Sequence, residues 1–530
     1  MPKALYNIII KPSALLAGIV ILYTGCTKQF ENINKNPYDF TEEELKADYE
    51  LLGEPLAQAM LSILLANDPP TAQLQQNLNA DVYSGYMMTP TPFEGNINNT
   101  NYGLLMPWNV KPWLVNYGNI MTNCDFAQNK AKGKYPDFYA WAQIIKVEAM
   151  HRVSDIYGPI IYTKYGIINP DHSIDFDSQQ AAYYAFFKDL DEAIKALTAY
   201  VESGAKQRFA VFDMVYKGDY RKWIRFANTL RLRLAIRISG VDLPKAKAEG
   251  EAALQHPYGL LTSADENFNV NIEPVTHPLN IMCYTWSDIR MGAPMESILT
   301  GYNDPRLPHY FVPSNAATNS YNGIRNGINI PAKDLYTGFS KLVKFENKIL
   351  FMTAAEAWFL KAEAALYGWA GSGDAKNNYE KGIATSFTQY GLSSYFNAYV
   401  NDNTSKPRPY KDPKNPANDV PAGNIHLSTI TIKWDNNASI QQKLERIITQ
   451  KWIAMYPEGQ EAWTEFRRTG YPKLFPVVIN NSGNTISTEA FIRRINLPYI
   501  EYTTNPIGVE KALKTLKGLD NGGTKLWWDL

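Results

Sequence analysis

Glu461 and Glu465 are four residues apart, and Glu356 and Glu363 are seven apart. Each pair falls on one face of a helix. Paired carboxylates can cleave glycosidic bonds, one as acid and the other as base or nucleophile. Arg467 and Arg468 follow the first pair closely, so a salt-bridged helix end explains it better. The six histidines are His151, His172, His256, His277, His309 and His426, and none stands in a zinc-protease pattern. The cysteines lack metal-ligand spacing. There is no phosphate-cradling glycine loop and no nucleophile elbow. These absences argue against an enzyme and give no reason to expect a cofactor or a metal.

The richer chemistry is aromatic. Among the residues are 34 Tyr and 12 Trp. Their rings offer an apolar face to sugar C–H groups, while nearby Asn, Asp and Arg can bind hydroxyls. Two groups stand on polar, irregular stretches. One is Tyr83, Tyr86, Tyr102, Trp108 and Trp113, with Asn96, Asn98, Asn99 and Asn101 among them. The other is Tyr284, Trp286, Asp288 and Arg290, just before a helix-like run from Met295 to Leu299. We take these nine residues as the candidate ligand contacts. The competing expectation is that the same rings pack the loops.

Helices must position those loops. Tyr183, Phe187, Leu190, Ile194 and Leu197 line one helix face, with Asp177 and Gln180 placed for a capping-box-like start. Trp223, Phe226, Leu230, Leu234 and Ile238 line another. That segment also holds Arg221, Lys222, Arg225, Arg231, Arg233 and Arg237, which read as ion pairs on a packed helix rather than as a membrane or anion surface. Residues 351–368, rich in small side chains, form a helix that breaks at Gly371-Ser372-Gly373 and resumes over 374–387. Such a unit resembles a tetratricopeptide repeat, without a clean period. Further helices are expected at 42–66, 137–156, 244–254, 439–455 and 459–468. Long irregular stretches cover 67–107, 158–178, 257–349 and 389–438. No alternating pattern suggests a dominant sheet.

The amino terminus carries a further signal. Lys3 and Lys11 precede a ten-residue apolar run, Ala14 to Tyr23, and then Thr24-Gly25-Cys26. A positive region, a short apolar core and a small residue before cysteine make a secretory signal. The Gly-Cys junction matches a bacterial lipobox, with Tyr23 where an aliphatic is usual. The expected division is a signal peptide at 1–25, a lipidated tether at 26–40 beginning with Cys26, and one domain at 41–530. The apolar run is too short to span a bilayer, which takes roughly 20 residues. Several acyl chains on one cysteine would anchor the chain stably. The formal net charge is zero, which argues against broad nucleic-acid binding. Three cysteines are too few for a disulfide scaffold, and pairing of Cys124 with Cys283 stays open.

Ordered motifs complete the picture. Ser154-Asp155-Ile156-Tyr157-Gly158-Pro159, Asn303-Asp304-Pro305-Arg306-Leu307 and Ala355-Glu356-Ala357 come first. Gln450-Lys451-Trp452-Ile453-Ala454-Met455-Tyr456, Glu461-Ala462-Trp463 and Arg467-Arg468-Thr469-Gly470-Tyr471-Pro472 follow. Leu497-Pro498-Tyr499, Glu501, Asn505 and Lys525-Leu526-Trp527-Trp528-Asp529 close the chain. Together with the lipobox, this order resembles the SusD/RagB family of nutrient-binding outer-membrane lipoproteins of Bacteroidetes. The resemblance implies a mostly α-helical, tetratricopeptide-repeat-like scaffold whose large irregular loops form a ligand-binding face. It implies a non-catalytic binding protein, lipid-anchored in the outer membrane and exposed at the cell surface. That protein would capture oligosaccharide, or peptide in some members, and pass it to a SusC-like TonB-dependent transporter. The motif residues themselves read as structural. Only Glu31 follows Cys26 as a near acid, which departs from the acidic run that often accompanies surface export. The alternative from a different class is a secreted helical glycoside hydrolase.

Overall fold

The computed structural model describes residues 48–529, so the leader, Cys26 and the tether to residue 40 lie outside the described residues. Helices dominate. Those that matter here are α1 (Thr122–Ala131), α2 (Pro136–Tyr157), α3 (Gln179–Glu202), α4 (Tyr220–Ile238), α5 (Leu243–Leu254), α6 (Ala354–Leu366), α7 (Ala375–Gln389), α8 (Ile440–Met455) and α9 (Gly459–Thr469). Consecutive helices pack as pairs: α1 on α2, α2 on α3, α4 on α5 and α6 on α7. The result is a tetratricopeptide-like scaffold of helical hairpins. The segment from Leu52 onward forms one unit with its own core.

Local chemistry sets the boundaries. Asp219 caps α4 by accepting from the amides of Arg221 and Lys222 at 3.0 and 3.2 Å. Its stripe of Trp223, Phe226, Leu230, Leu234 and Ile238 is fully buried. Ser439 and Gln442 form a capping box at the start of α8. Gly368, Gly371 and Gly373 all take positive φ in the turn between α6 and α7, where a side chain would be strained. Gly382 on α7 meets the Phe359 ring of α6, which lies 2.7 Å from where a Cβ would stand.

Some expected boundaries move. The cap of α3 is Ser178, whose hydroxyl accepts from the amide of Ala181 at 3.2 Å. Asp177 turns the other way, accepting from the amides of Tyr162 and Thr163 at 3.0 and 2.7 Å. The run expected as one helix from 351 divides. Lys348–Met352 is a strand, and Thr353 then caps α6 by accepting from the amide of Glu356 at 3.0 Å. The stretch 67–107 is not all irregular, because Gln73–Asp81 forms a π-helical segment. The expected helix over 42–66 is shorter, Glu50–Ser62.

Two small antiparallel ladders pin the loops. β1 (Met87–Met88) pairs with β3 (Arg290–Met291), and β2 (Phe268–Asn271) pairs with β4 (Lys348–Met352). No dominant sheet forms among the described residues. Cys124 and Cys283 are both buried and free. Burial pushes the Cys124 thiol up to about 12.

The arginines of α4 are ion-paired inside the scaffold. Arg233 donates to both oxygens of Glu356 at 2.8 and 2.7 Å. Arg237 bridges Asp155 of α2 at 2.6 Å and Glu461 of α9 at 2.5 Å. Arg468 holds Glu363 at 2.7 Å and Glu465 at 2.7 Å. Lys451 of α8 stands 3.3 Å from Glu465. These groups hold Glu461 and Glu465 below the usual carboxylate range, against the upward push of burial. Both carboxylate pairs singled out for hydrolysis are therefore enclosed and consumed by cations, out of reach of a bound glycan.

Candidate ligand-binding face

The β1–β3 ladder brings the two aromatic groups of the sequence together. Met88 sits opposite Arg290, so the loop of residues 83–113 and the loop of residues 284–290 share hydrogen bonds. Thr91 donates to Asp288 at 2.6 Å, and Lys333 reaches the same carboxylate at 2.7 Å and the Trp286 carbonyl at 2.8 Å. Ser287, between Trp286 and Asp288, takes φ +57°, in the left-handed region.

Within this frame the nine candidates fall at different depths. Tyr86 is fully buried, and its hydroxyl donates to the carbonyl of Trp452. Tyr83 is buried against Trp463, with ring centroids 5.1 Å apart. Arg290 is buried and donates to the carbonyls of Thr337 and Ile289 at 2.8 and 2.6 Å. Asp288 is spent on Thr91 and Lys333. These four are supports by position. Trp108 is half-buried and meets Phe93 edge to face at 5.7 Å. Trp286 and Tyr284 are half-buried, and Tyr284 is held by a 2.6 Å bond to the Leu342 carbonyl. The asparagines also work internally. Asn99 donates to Asn109 at 2.7 Å, and Asn98 caps the turn it begins.

Tyr102 and Trp113 are themselves buried, each 3% exposed, and stand in the walls of two clefts rather than projecting into them. Tyr102 lines a cleft of about 770 Å³, together with Met106, Asn109, Asn496, Tyr499 and Tyr502. Trp113 lines a second cleft of about 550 Å³. Both clefts border the single helical turn Tyr499–Thr504, which stands between them as a ridge. Tyr499 and Tyr502 are 46% and 44% exposed, so they offer ring faces that the buried tyrosines do not. Asp520 anchors the ridge by accepting from the Tyr502 hydroxyl at 2.6 Å and from Arg494. Pockets of these volumes suit small and oligomeric ligands, with aromatic walls and a few placed polar groups.

Tyr499 and Tyr502 were not among the candidates from the sequence. The Leu497-Pro498-Tyr499 motif reads as structural, and only the exposure of the ridge distinguishes it. A usable signal was present: two tyrosines three apart, flanked by Asn496 and Asn505, repeat the polar-aromatic mixture of the other loops.

Comparison with known proteins decides the family. The model for SusD-like proteins, the SusD and RagB outer membrane lipoproteins, matches residues 32–529. The chain belongs to the SusD-like family. A chitin-binding SusD homologue of Flavobacterium johnsoniae is 46% identical, covers 90% of this chain and 98% of its own, and superposes with a TM-score of 0.87. SusD homologues from Bacteroides vulgatus and Bacteroides thetaiotaomicron are 37% and 35% identical, with TM-scores of 0.85 and 0.83. They cover 91% and 90% of this chain, and 99% and 98% of their own. A search of curated proteins gave no match. SusD-like proteins form an outer-membrane lipoprotein family. No helix of the described residues is long and apolar enough to cross a membrane.

Proposed function

We propose that this SusD-like protein is a lipid-anchored, non-catalytic receptor for oligosaccharide. It captures a neutral glycan in the Tyr102–Tyr499–Tyr502 cleft and hands it to a SusC-like TonB-dependent transporter. The anchor is Cys26, and the receptor faces outward from the cell. The observation that carries the glycan reading is the pair of exposed tyrosines over a cleft edged by Asn109, Asn481, Asn496 and Asn521. Flat rings stack on sugar C–H faces, and amide groups meet hydroxyls. The chitin binding of a 46%-identical homologue supports N-acetylated glucosamine oligomers as the first ligands to try. Family membership supports the transporter as partner. The non-catalytic reading is supported by the enclosure of both carboxylate pairs among cations.

The test is calorimetric titration of the purified protein with an oligosaccharide panel, with product analysis of the same mixtures. The expected result is saturable binding of a neutral oligomer with no shorter product. Release of shorter sugars would overturn the non-catalytic assignment. Binding of peptides but of no glycan would overturn the ligand class.

A further inference from the structure

The two clefts differ in charge. In the Tyr499–Tyr502 cleft, the one carboxylate, Asp520, is compensated by Arg494. Across the ridge, the cleft of Trp113 also contains one carboxylate, Glu501, and among the described residues no lysine or arginine lines it. Glu501 accepts from the Trp113 indole N–H at 3.0 Å, a neutral donor. Lys511, on the following helix Pro506–Leu513, is paired with Asp175 at 2.7 Å. His172 contributes the cleft's imidazole. Tyr117 and Tyr165 line the same cleft, both half-buried and stacked at 6.2 Å, with Tyr117 also packed on Trp113 at 4.5 Å. Tyr117 is fixed by its hydroxyl, which donates to the Ile161 carbonyl at 3.0 Å and accepts from the Ile161 amide at 2.8 Å.

A carboxylate without a cation, sharing an open cleft with aromatic rings, is complementary to an ammonium group. The carboxylate supplies charge and the ring faces add cation–π attraction. We propose that the Trp113–Glu501 cleft is a second binding site, which takes the primary ammonium of an amino sugar. The choice of a sugar as carrier rests on the glycan reading above; the choice of an amine rests on this cleft alone. Burial also raises the Glu501 carboxyl above its ordinary range, partly opposed by hydrogen bonds from the Trp113 and Asn505 side chains.

The experiment compares three probes by calorimetry: glucosamine trimer with free amines, its N-acetylated counterpart, and trilysine. Each is titrated into the wild type and into Glu501→Gln. The amide keeps an acceptor for Trp113, so the fold should survive, as a melting curve will show. The free-amine trimer should bind the wild type and lose on the order of tenfold or more in affinity on Glu501→Gln. The N-acetylated trimer should be unchanged by that substitution, which separates this site from the neutral-glycan cleft. A pH series on the wild type gives a second reading that needs no variant. Affinity for the free-amine trimer should fall as Glu501 protonates, and affinity for the acetylated trimer should stay level. Equal binding of the amine trimer by wild type and Glu501→Gln, or its independence of pH, would overturn the proposal. So would Glu501-dependent binding of trilysine without binding of the amine trimer.

Discussion

Tyr86 and Tyr499 show what position does to one residue type. Tyr86 has no exposed surface, and its ring lies 4.9 Å from that of Trp452. Truncation there removes core packing and leaves the Trp452 carbonyl without its donor. Tyr86→Ala should therefore cost about 3–5 kcal/mol of stability, measured by denaturant unfolding. Tyr499→Ala, on an exposed ring, should stay within about 0.5 kcal/mol. A Tyr86→Ala variant as stable as the wild type would contradict its placement as a support. The sequence reading ranks them the other way, taking Tyr86 as a ligand candidate and Leu497-Pro498-Tyr499 as a structural motif. Depth separates them, and depth comes from which helices pass behind the loop. For Tyr86 these are α8, through Trp452, and the chain at Tyr456.

At the scale of elements, a shared ionic cluster joins α2, α4, α6, α8 and α9. Removing one member strands its partners in a dry interior. Glu461→Ala removes the closest partner of Arg237, leaving it Asp155 at 2.6 Å and Glu465 at 3.5 Å, and should cost about 3–5 kcal/mol, checked by chemical denaturation. A loss below 1 kcal/mol would show that water reaches the cluster. A separate pH effect belongs to the helix Ala293–Gly301. Burial pushes Glu296 up to about 8 from its ordinary 4.5, partly opposed by the Gly323 amide at 2.6 Å. The folded state thus favours the protonated carboxyl. Its contribution is complete below about pH 4.5 and is lost as pH rises through 8. Glu296→Gln should match the wild type in melting temperature near pH 4 and exceed it at pH 8. An equal difference at both pH values would contradict the assignment. The helices themselves were legible from the sequence, because apolar stripes such as Trp223 to Ile238 repeat at the helical period. The cap of α3 was not, because Asp177 and Ser178 are both good cap residues and only the turn at Tyr162 claims Asp177. The ion pairs were legible in kind, as arginines on a packed helix, but their partners lie on helices far away in sequence.

At the scale of the whole molecule, a helical scaffold carries the segments that line the two clefts. The proposed anchor rests on Cys26, which closes the lipobox-like run Tyr23-Thr24-Gly25-Cys26. Cys26→Ala should move the protein from the membrane to the soluble fraction when the transporter is absent. A variant that stays with the membrane would contradict lipid anchoring at that residue. The family was legible because its motifs run in order from the amino terminus to Trp528. The proposed ligand face draws on two distant parts of the chain: the loop of 83–113 that the sequence singles out, and the ridge Tyr499–Thr504 from the far end of the chain, which it does not. The central claim is that the cleft between Tyr102 and this ridge binds a neutral oligosaccharide. The direct measurement is calorimetric titration of an N-acetylated glucosamine oligomer into the wild type and into the Tyr499→Ala, Tyr502→Ala double variant. Two lost stacking platforms, each contributing on the order of 1 kcal/mol, predict a drop in affinity of roughly tenfold or more, with the melting temperature nearly unchanged. Undiminished affinity in the folded double variant would contradict the account.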